Sequence, residues 1–295
     1  MIETLLTSAA VVLRIVSNPV GNVFQKQLTA RGNHPLLINF LTYLLLSFVC
    51  LAFALHINWQ KLPAEFWLYS VLAGIVGALG NGFLVKALQK GDLSVLGPIN
   101  AYKSVVGIIV GIFLLKEIPN VWGVLGIALI VYGSYFVLDT TEERFSWGLF
   151  KKSEIQFRLW ALILTAVEAV FLKKIILASS ATIAFISWCW FGAVFSFLLL
   201  FVYQLNVVSQ MKRIRFRDFS KYLFLIICIG TMQYSTNYTF GHMPVGYALS
   251  LFQLSIIVSV VLGHRFFHEQ DIRKKLIGSM IMIAGSILII LLKNK

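Results

Sequence analysis

The chain has 295 residues, of which 59% are hydrophobic and 13% charged, and its net charge is +13. Soluble domains are about 45–50% apolar and about 25% charged, so this composition excludes a soluble globular protein. The excess apolar surface has to face lipid, which predicts an integral membrane protein. The cations lie mainly between apolar runs, which indicates membrane topology and not nucleic-acid binding.

Ten segments are apolar and long enough to cross a bilayer, which takes about 20 residues. They lie at 4–26, 34–56, 66–88, 93–115, 119–138, 156–177, 180–204, 219–241, 245–264 and 273–292. The sequence therefore predicts an all-α membrane protein with ten transmembrane helices. A polar linker at 139–155 separates a first unit, 1–138, from a second unit, 156–295.

The two halves carry the same pattern of glycine and glutamate. A shift of 152 residues superposes, without a gap, Gly111 on Gly263, Glu117 on Glu269, Gly126 on Gly278 and Gly133 on Gly285. Five helices per unit is an odd number, so the second unit begins on the opposite side of the membrane from the first. The sequence thus predicts inverted repeats, an arrangement that many transporters use for alternating access.

The charges of equivalent loops agree with this inversion. The loop after the second helix has one cation, Lys61, whereas its counterpart after the seventh has five between 212 and 221. The loops after odd-numbered helices are the basic ones, and Lys151, Lys152 and Arg158 are counted among their cations. The positive-inside rule places these loops in the cytoplasm of a bacterial-type inner membrane and both termini outside.

These segments resemble the EamA-type repeats of the drug/metabolite transporter superfamily. The resemblance rests on Gly111-Ile112-Phe113-Leu114-Leu115-Lys116-Glu117 with Gly126 and Gly133, and on Gly263-His264-Arg265-Phe266-Phe267-His268-Glu269 with Gly278 and Gly285. Pro98 also fits the family pattern, whereas Ser250 stands at the matching position of the second half.

The resemblance implies ten helices in two inverted repeats around a central cavity, lined mainly by the first, third, fourth, sixth, eighth and ninth helices. It also implies movement of amino acids, their derivatives, sugars or other small metabolites, often as export and often coupled to protons. The family usually has both termini in the cytoplasm, opposite to the charge count, and both orientations stay open.

Ionisable side chains inside a membrane are candidate functional groups, because burying them costs several kcal/mol. Lys103 lies near the middle of the fourth helix, one turn after Asn100. We predict that it binds a substrate carboxylate or phosphate, or that it pairs with an internal acid. Glu168 is predicted to titrate as the proton-coupling group or to neutralise Lys103 or Arg14. Arg14, four residues before Asn18, is predicted to bind an anion or to reach the membrane surface.

A polar stripe on the eighth helix and its neighbours completes the predicted substrate site. Gln233 and Asn237 share one helix face, Tyr238 lies beside them, Asn81 matches Gln233 at the 152-residue shift, and Gln253 follows in the ninth helix. Such residues face protein or water and not lipid. They line a polar cavity or form hydrogen bonds between helices.

The two aligned glutamates, Glu117 and Glu269, are predicted to cap helix ends or brace a gate, and Gly111 and Gly263 accompany them structurally. The sequence has no Walker motif, metal-binding histidine motif or nucleophile elbow, so we expect no ATP use, metal, cofactor or enzymatic activity.

The predicted function is secondary transport of a small polar metabolite, such as an amino acid or other organic anion, with proton coupling as one option. The alternatives are a flippase for a lipid-linked intermediate, with a laterally open cavity in the same fold, or a receptor-like scaffold. Either a monomer or a homodimer agrees with the sequence.

Overall fold

A computed structural model describes residues 2–103, 105–106, 120–140 and 148–291, and every regular element in these ranges is helical. The α-helices are α1 (Ile2–Ala30), α2 (Pro35–Ala54), α3 (Ala64–Lys90), α4 (Leu93–Leu96), α5 (Val121–Leu138), α6 (Ser153–Ala178), α7 (Ala181–Val202), α8 (Val207–Arg213), α9 (Phe219–His242), α10 (Val245–Phe252), α11 (Ser255–Phe267) and α12 (Ile272–Leu291). Short 3₁₀ turns lie at Trp59–Lys61, Pro98–Tyr102, Leu149–Lys151 and Phe216–Asp218.

Six described segments are long and apolar enough to cross a membrane. They are Ile2–Ala30, Pro35–Ala54, Ala64–Lys90, Val121–Leu138, Ala181–Val202 and Tyr247–Phe267. Half or fewer of the residues in the most apolar stretch of each segment are buried inside the protein. The other side chains need lipid around them, so the chain is an integral membrane protein.

The starts of several helices follow from polar side chains that bond to free backbone amides. The Asn120 side chain accepts a hydrogen bond from the Gly123 amide at 2.9 Å, before α5. Ser180 accepts from the Ile183 amide at 3.2 Å, before α7. These N-caps satisfy donors that have no partner within the helix, and they fix where each helix begins.

Helices from the two halves of the chain pack against each other. The most extensive contacts join α3 with α6, α5 with α12, α1 with α9, and α2 with α7. Each of these pairs combines one helix before the predicted linker with one after it, so the apolar core is shared between the halves.

Glycines bring α5 and α12 into backbone contact. A Cβ added to Gly126 would lie 2.7 Å from the Gly285 carbonyl oxygen, and one added to Gly133 would lie 2.6 Å from that of Gly278. The pairs run antiparallel, since the earlier residue of α5 meets the later residue of α12. Only glycine permits this approach, as is common where membrane helices cross.

The predicted helices at 93–115 and 245–264 are not continuous, which corrects the sequence expectation. The first begins with α4 and then tightens into the 3₁₀ turn Pro98–Tyr102, because proline has no amide hydrogen and clashes with the preceding turn. The second is interrupted at Gln253 and Leu254, between α10 and α11. Residues 104 and 107–119, with Gly111 and Glu117, lie outside the described residues.

Candidate functional site

The interruption after α4 exposes a backbone carbonyl that an arginine binds. The Asn100 amide bonds to the Gly97 oxygen at 3.0 Å, so the Leu96 oxygen does not receive the amide that a regular helix would supply. Arg158 of α6 donates its Nε–H to that oxygen at 2.7 Å and an Nη2–H to Asn100 Oδ1 at 3.1 Å. The break and the arginine therefore form one structural unit.

A second arginine lies beside the break in the other half. The Arg14 guanidinium packs over the Phe252 ring, with 4.8 Å between Cζ and the ring centre, and Phe252 is the last residue of α10. Arg14 Nε–H donates to Thr236 Oγ1 of α9 at 3.0 Å. Arg14 Nη1 is buried and has no hydrogen-bond partner among the described residues. The arginine faces the protein interior and not the membrane surface.

Both arginines line one cavity, and Lys103 lines it as well. The cavity has a volume of about 100 Å³, which is below the range of about 300–1,000 Å³ that is usual for drug-sized ligands. Lys103 interacts electrostatically with Arg158, Arg14 and Glu168. No hydrogen bond or ion pair shorter than 4 Å joins its ammonium to another described residue.

Glu168 is the only acidic side chain among the described residues that line this cavity. It is 6% exposed, and its Oε1 accepts a hydrogen bond from Trp188 Nε1 at 2.7 Å. Gly77 of α3 makes room for this carboxylate, because a Cβ there would collide with Glu168 Oε1. Trp188 and Gly77 thus hold the carboxylate in place, with neither Arg14 nor Lys103 at ion-pair distance.

Three more predicted residues line the cavity: Asn18, Asn81 and Gln233. Asn81 donates to Tyr43 Oη at 2.6 Å, and Gln233 donates to Asn237 Oδ1 at 3.0 Å. With Arg14, Asn100, Lys103 and Glu168, the structure brings seven of the predicted residues together around one space.

Three predicted site residues do not line the cavity, which corrects their expected positions. Asn237 is fully buried and donates to the Ala181 oxygen at 3.4 Å, so it joins α9 to α7. Tyr238 stacks on the His242 ring with centres 4.1 Å apart. Gln253 is buried at the α10–α11 break. Asn237 lies one turn after Gln233 and is bonded to it, Tyr238 faces His242, and Gln253 lies at the helix break.

Arg158 is the main cavity residue whose position differs from the sequence expectation, which counts it among the loop cations. The structure places it within α6 at 7% exposure, against the cavity. Asn22, Thr165 and Thr236 also line the cavity and were not predicted. Arg158 is flanked by Phe157 and Leu159 inside an apolar segment, and this signal could have identified it.

Glu269 caps the start of the interrupted helix of the first half. Its two carboxylate oxygens accept hydrogen bonds from the Leu93 and Ser94 amides, each at 2.8 Å. Lys26 Nζ donates to the same carboxylate at 2.8 Å. Gly263 leaves space for it, since a Cβ there would collide with Glu269 Oε2. Burial raises the pKa of Glu269, but Lys26 and Ser94 lower it by a larger amount. The pKa of this carboxyl therefore lies below its ordinary value.

A second buried carboxylate joins the halves at the same end of the molecule. Asp218 Oδ1 accepts a hydrogen bond from Arg31 at 2.5 Å, and Oδ2 accepts from the Arg215 amide at 3.2 Å. Burial raises the pKa of Asp218, but the hydrogen bonds from Arg31, Arg215 and Asn33 lower it more, with a net decrease. The Arg31–Asp218 and Lys26–Glu269 ion pairs therefore both connect the two halves at the end that carries the basic loops.

Comparisons with known proteins agree with this architecture. Residues 10–139 match the model of the EamA-like transporter family. Seventeen chains of solved structures match. One of them, in a crystal structure, is 14% identical, with a TM-score of 0.65 over 97% of this chain and 98% of that chain. At this identity the likeness shows the fold alone. No curated protein sequence matches the chain.

Proposed function

We propose, from the premise that this chain is an EamA-type transporter of the drug/metabolite transporter superfamily, that it moves a small polar metabolite by alternating access. The observation that carries the proposal is the pair of interrupted helices beside one cationic cavity. In secondary transporters, discontinuous helices at corresponding positions of two repeats form the substrate site near the membrane midplane.

The two-repeat architecture of ten helices is part of this proposal. The interruptions overlap under the 152-residue shift, because Ala101 and Tyr102, at the end of the 3₁₀ turn, correspond to Gln253 and Leu254. The same shift exchanges the contact pair Gly126–Gly285 with the pair Gly278–Gly133. A two-fold axis in the membrane plane between units 1–138 and 156–295 would relate both features, which supports inverted repeats.

We assign substrate binding to Lys103, with Arg14 and Arg158 as the flanking cations. An organic anion, or the carboxylate of an amino acid, is the group that such side chains bind. Asn18, Asn81, Asn100 and Gln233 would bind its polar remainder. Glu168 is assigned to proton coupling, since it is a buried carboxylate with no cation at ion-pair distance among the described residues.

The Lys26–Glu269 pair is assigned to bracing a gate at the end with the basic loops. It connects α1 to the first turn of α4 and to the end of α11. Movement of one half against the other at this end has to break it.

The orientation of the termini is open between the charge count and the usual family arrangement. Without Arg158, the loop after α5 still carries Lys151 and Lys152, so we keep the basic loops in the cytoplasm of an inner membrane. A cysteine introduced between 212 and 217 should resist membrane-impermeant thiol reagents in intact cells. Rapid labelling from outside would reverse this orientation.

Proteoliposomes containing the purified chain test the transport proposal. They should take up at least one probe from a panel of amino acids, sugars, organic anions and nucleotides, and an imposed proton gradient should change the rate. If no probe moves, the proposal of small-metabolite transport is wrong. A flippase, the second prediction, would instead move a lipid-linked intermediate between leaflets in the same vesicles.

A further inference from the structure

We infer that the substrate of this cavity is a small dianion, such as a dicarboxylate or a phosphate monoester, and not a zwitterion. This inference rests on the proposed transport function and specifies its substrate class. It follows from the charges of the lining, their hydrogen bonds, and the high free energy of an unpaired charge inside a bilayer.

The described lining has an excess of two positive charges. Arg14, Lys103 and Arg158 contribute three cations, and Glu168 contributes the single carboxylate. The free energy needed to keep an uncompensated charge inside a bilayer is several kcal/mol. A bound ligand with two negative charges balances the site, whereas a zwitterionic amino acid leaves its excess charge unchanged.

The hydrogen bonds show which cations remain available to a ligand. Arg158 uses Nε and Nη2 on Leu96 and Asn100, so it is held rigidly against α4. Arg14 uses Nε on Thr236 and leaves the buried Nη1 without an acceptor among the described residues. A buried guanidinium N–H without an acceptor is costly, and an anionic oxygen in the cavity would satisfy it.

The carboxylate in the lining is already engaged and does not neutralise the cations directly. The Glu168 carboxylate accepts a hydrogen bond from Trp188 and packs against Gly77. Neither Lys103 nor Arg14 forms an ion pair with it within 4 Å in the described part of the chain. The ammonium of Lys103 and the free N–H of Arg14 are therefore two separate donors for two anionic oxygens.

The test compares four small probes that differ in charge, on the full-length protein purified in detergent and in proteoliposomes at pH 7.5. Succinate and glycerol 3-phosphate are the dianions, propionate is the monoanion and alanine is the zwitterion. We expect Kd for at least one dianion to be ten-fold or more below that for propionate or alanine. Which of the two binds distinguishes dicarboxylate from phosphate recognition.

The variant Lys103→Met reduces the excess positive charge of the cavity lining to one. It should therefore lose the preference for the dianion, while its Kd for propionate should change less than about three-fold. Lys174→Met, which alters an exposed lysine of α6, should leave the preference unchanged. Equal Kd values for all four probes, or an intact dianion preference in Lys103→Met, would overturn the inference. Uptake of alanine but of neither dianion would reject the dianion inference and still support the proposed transport function. No uptake of any probe would reject the inference and the transport function together.

Discussion

The charged side chains that line the cavity differ in which hydrogen-bond partners they have. Arg158 binds a carbonyl and an amide oxygen, and Glu168 binds an indole N–H. Lys103 has no such partner among the described residues, and Arg14 has one N–H without an acceptor. The first two are held by the protein, while the latter two are available to a ligand.

Glu168→Gln tests proton coupling at the residue scale. Glutamine keeps an oxygen for Trp188 but cannot release a proton, so uptake driven by a proton gradient should fall ten-fold or more. Exchange of labelled for unlabelled substrate at equal pH should continue. Glu154→Gln, at the start of α6 and outside the cavity, is the control. Unchanged gradient-driven uptake in Glu168→Gln would show that another group carries the proton.

Asp218→Asn tests the ion pair with Arg31. A carboxylate whose pKa is lower in the folded state stabilises the protein above its unfolded pKa, and this stabilisation is lost as pH falls through the folded pKa. At pH 7 the variant should lose about 1 kcal/mol of unfolding free energy. The difference in Tm from wild type should shrink below about pH 4. Asp139→Asn, in an exposed pair with Lys274, is the control and should lower the Tm less. A Tm difference between Asp218→Asn and wild type that grows in acid would contradict this account.

At the scale of helices, the sequence predicted the ends of regular spans better than their interruptions. Apolar length and polar turns predicted α1, α2, α3 and α9 to within four residues at each end. Pro98 lies at one interruption and is a local signal for it. The α10–α11 break contains no proline, so the local sequence does not predict that interruption. The charge count includes Arg158 among the loop cations, although it lies in the predicted segment 156–177, because a position near a helix start does not reveal which tertiary neighbours surround a side chain.

Gly133→Ala tests the crossing of α5 and α12. The added methyl would meet the Gly278 oxygen, and overpacking of this kind costs about 1–3 kcal/mol. Gly241→Ala is the matched control, because its Cβ would lie 3.8 Å from the nearest atom, an ordinary contact. Thermal unfolding in detergent should show a lower Tm for Gly133→Ala only. Equal Tm values for the two variants would mean that the helices tolerate separation at this point.

Glu269→Ala tests the brace at the end with the basic loops. The Leu93 and Ser94 amides would lose their acceptor, and Lys26 would keep only the longer ion pair with Asp92 at 3.7 Å, so this end should open more often. The readout is thiol modification of Asn22→Cys, which lines the cavity, in a background without Cys50, Cys189 and Cys228. An impermeant reagent added on the side of the basic loops should react several-fold faster than in a Glu154→Ala control. Equal rates would show that Glu269 does not restrict access.

At the scale of the whole molecule, both halves of the chain contribute residues of an interrupted helix and one arginine to the cavity lining. Each half supplies an interrupted helix, and an arginine lies beside each interruption, Arg158 at the first and Arg14 at the second. Lys103 has no equivalent cation in the second half, where Ser255 stands at the 152-residue shift. The cations around the cavity are therefore not repeated between the halves, and under the proposed function we expect substrate binding to depend on Lys103.

The most direct measurement of the central claim is substrate uptake by proteoliposomes that contain Lys103→Ala. We predict that this variant takes up no substrate above empty vesicles, while its Tm in detergent stays near that of the wild type, because the lost ammonium bonds to no described residue. Lys174→Ala, in which an exposed lysine is removed, should transport at the wild-type rate. Wild-type uptake by Lys103→Ala would contradict the proposed site.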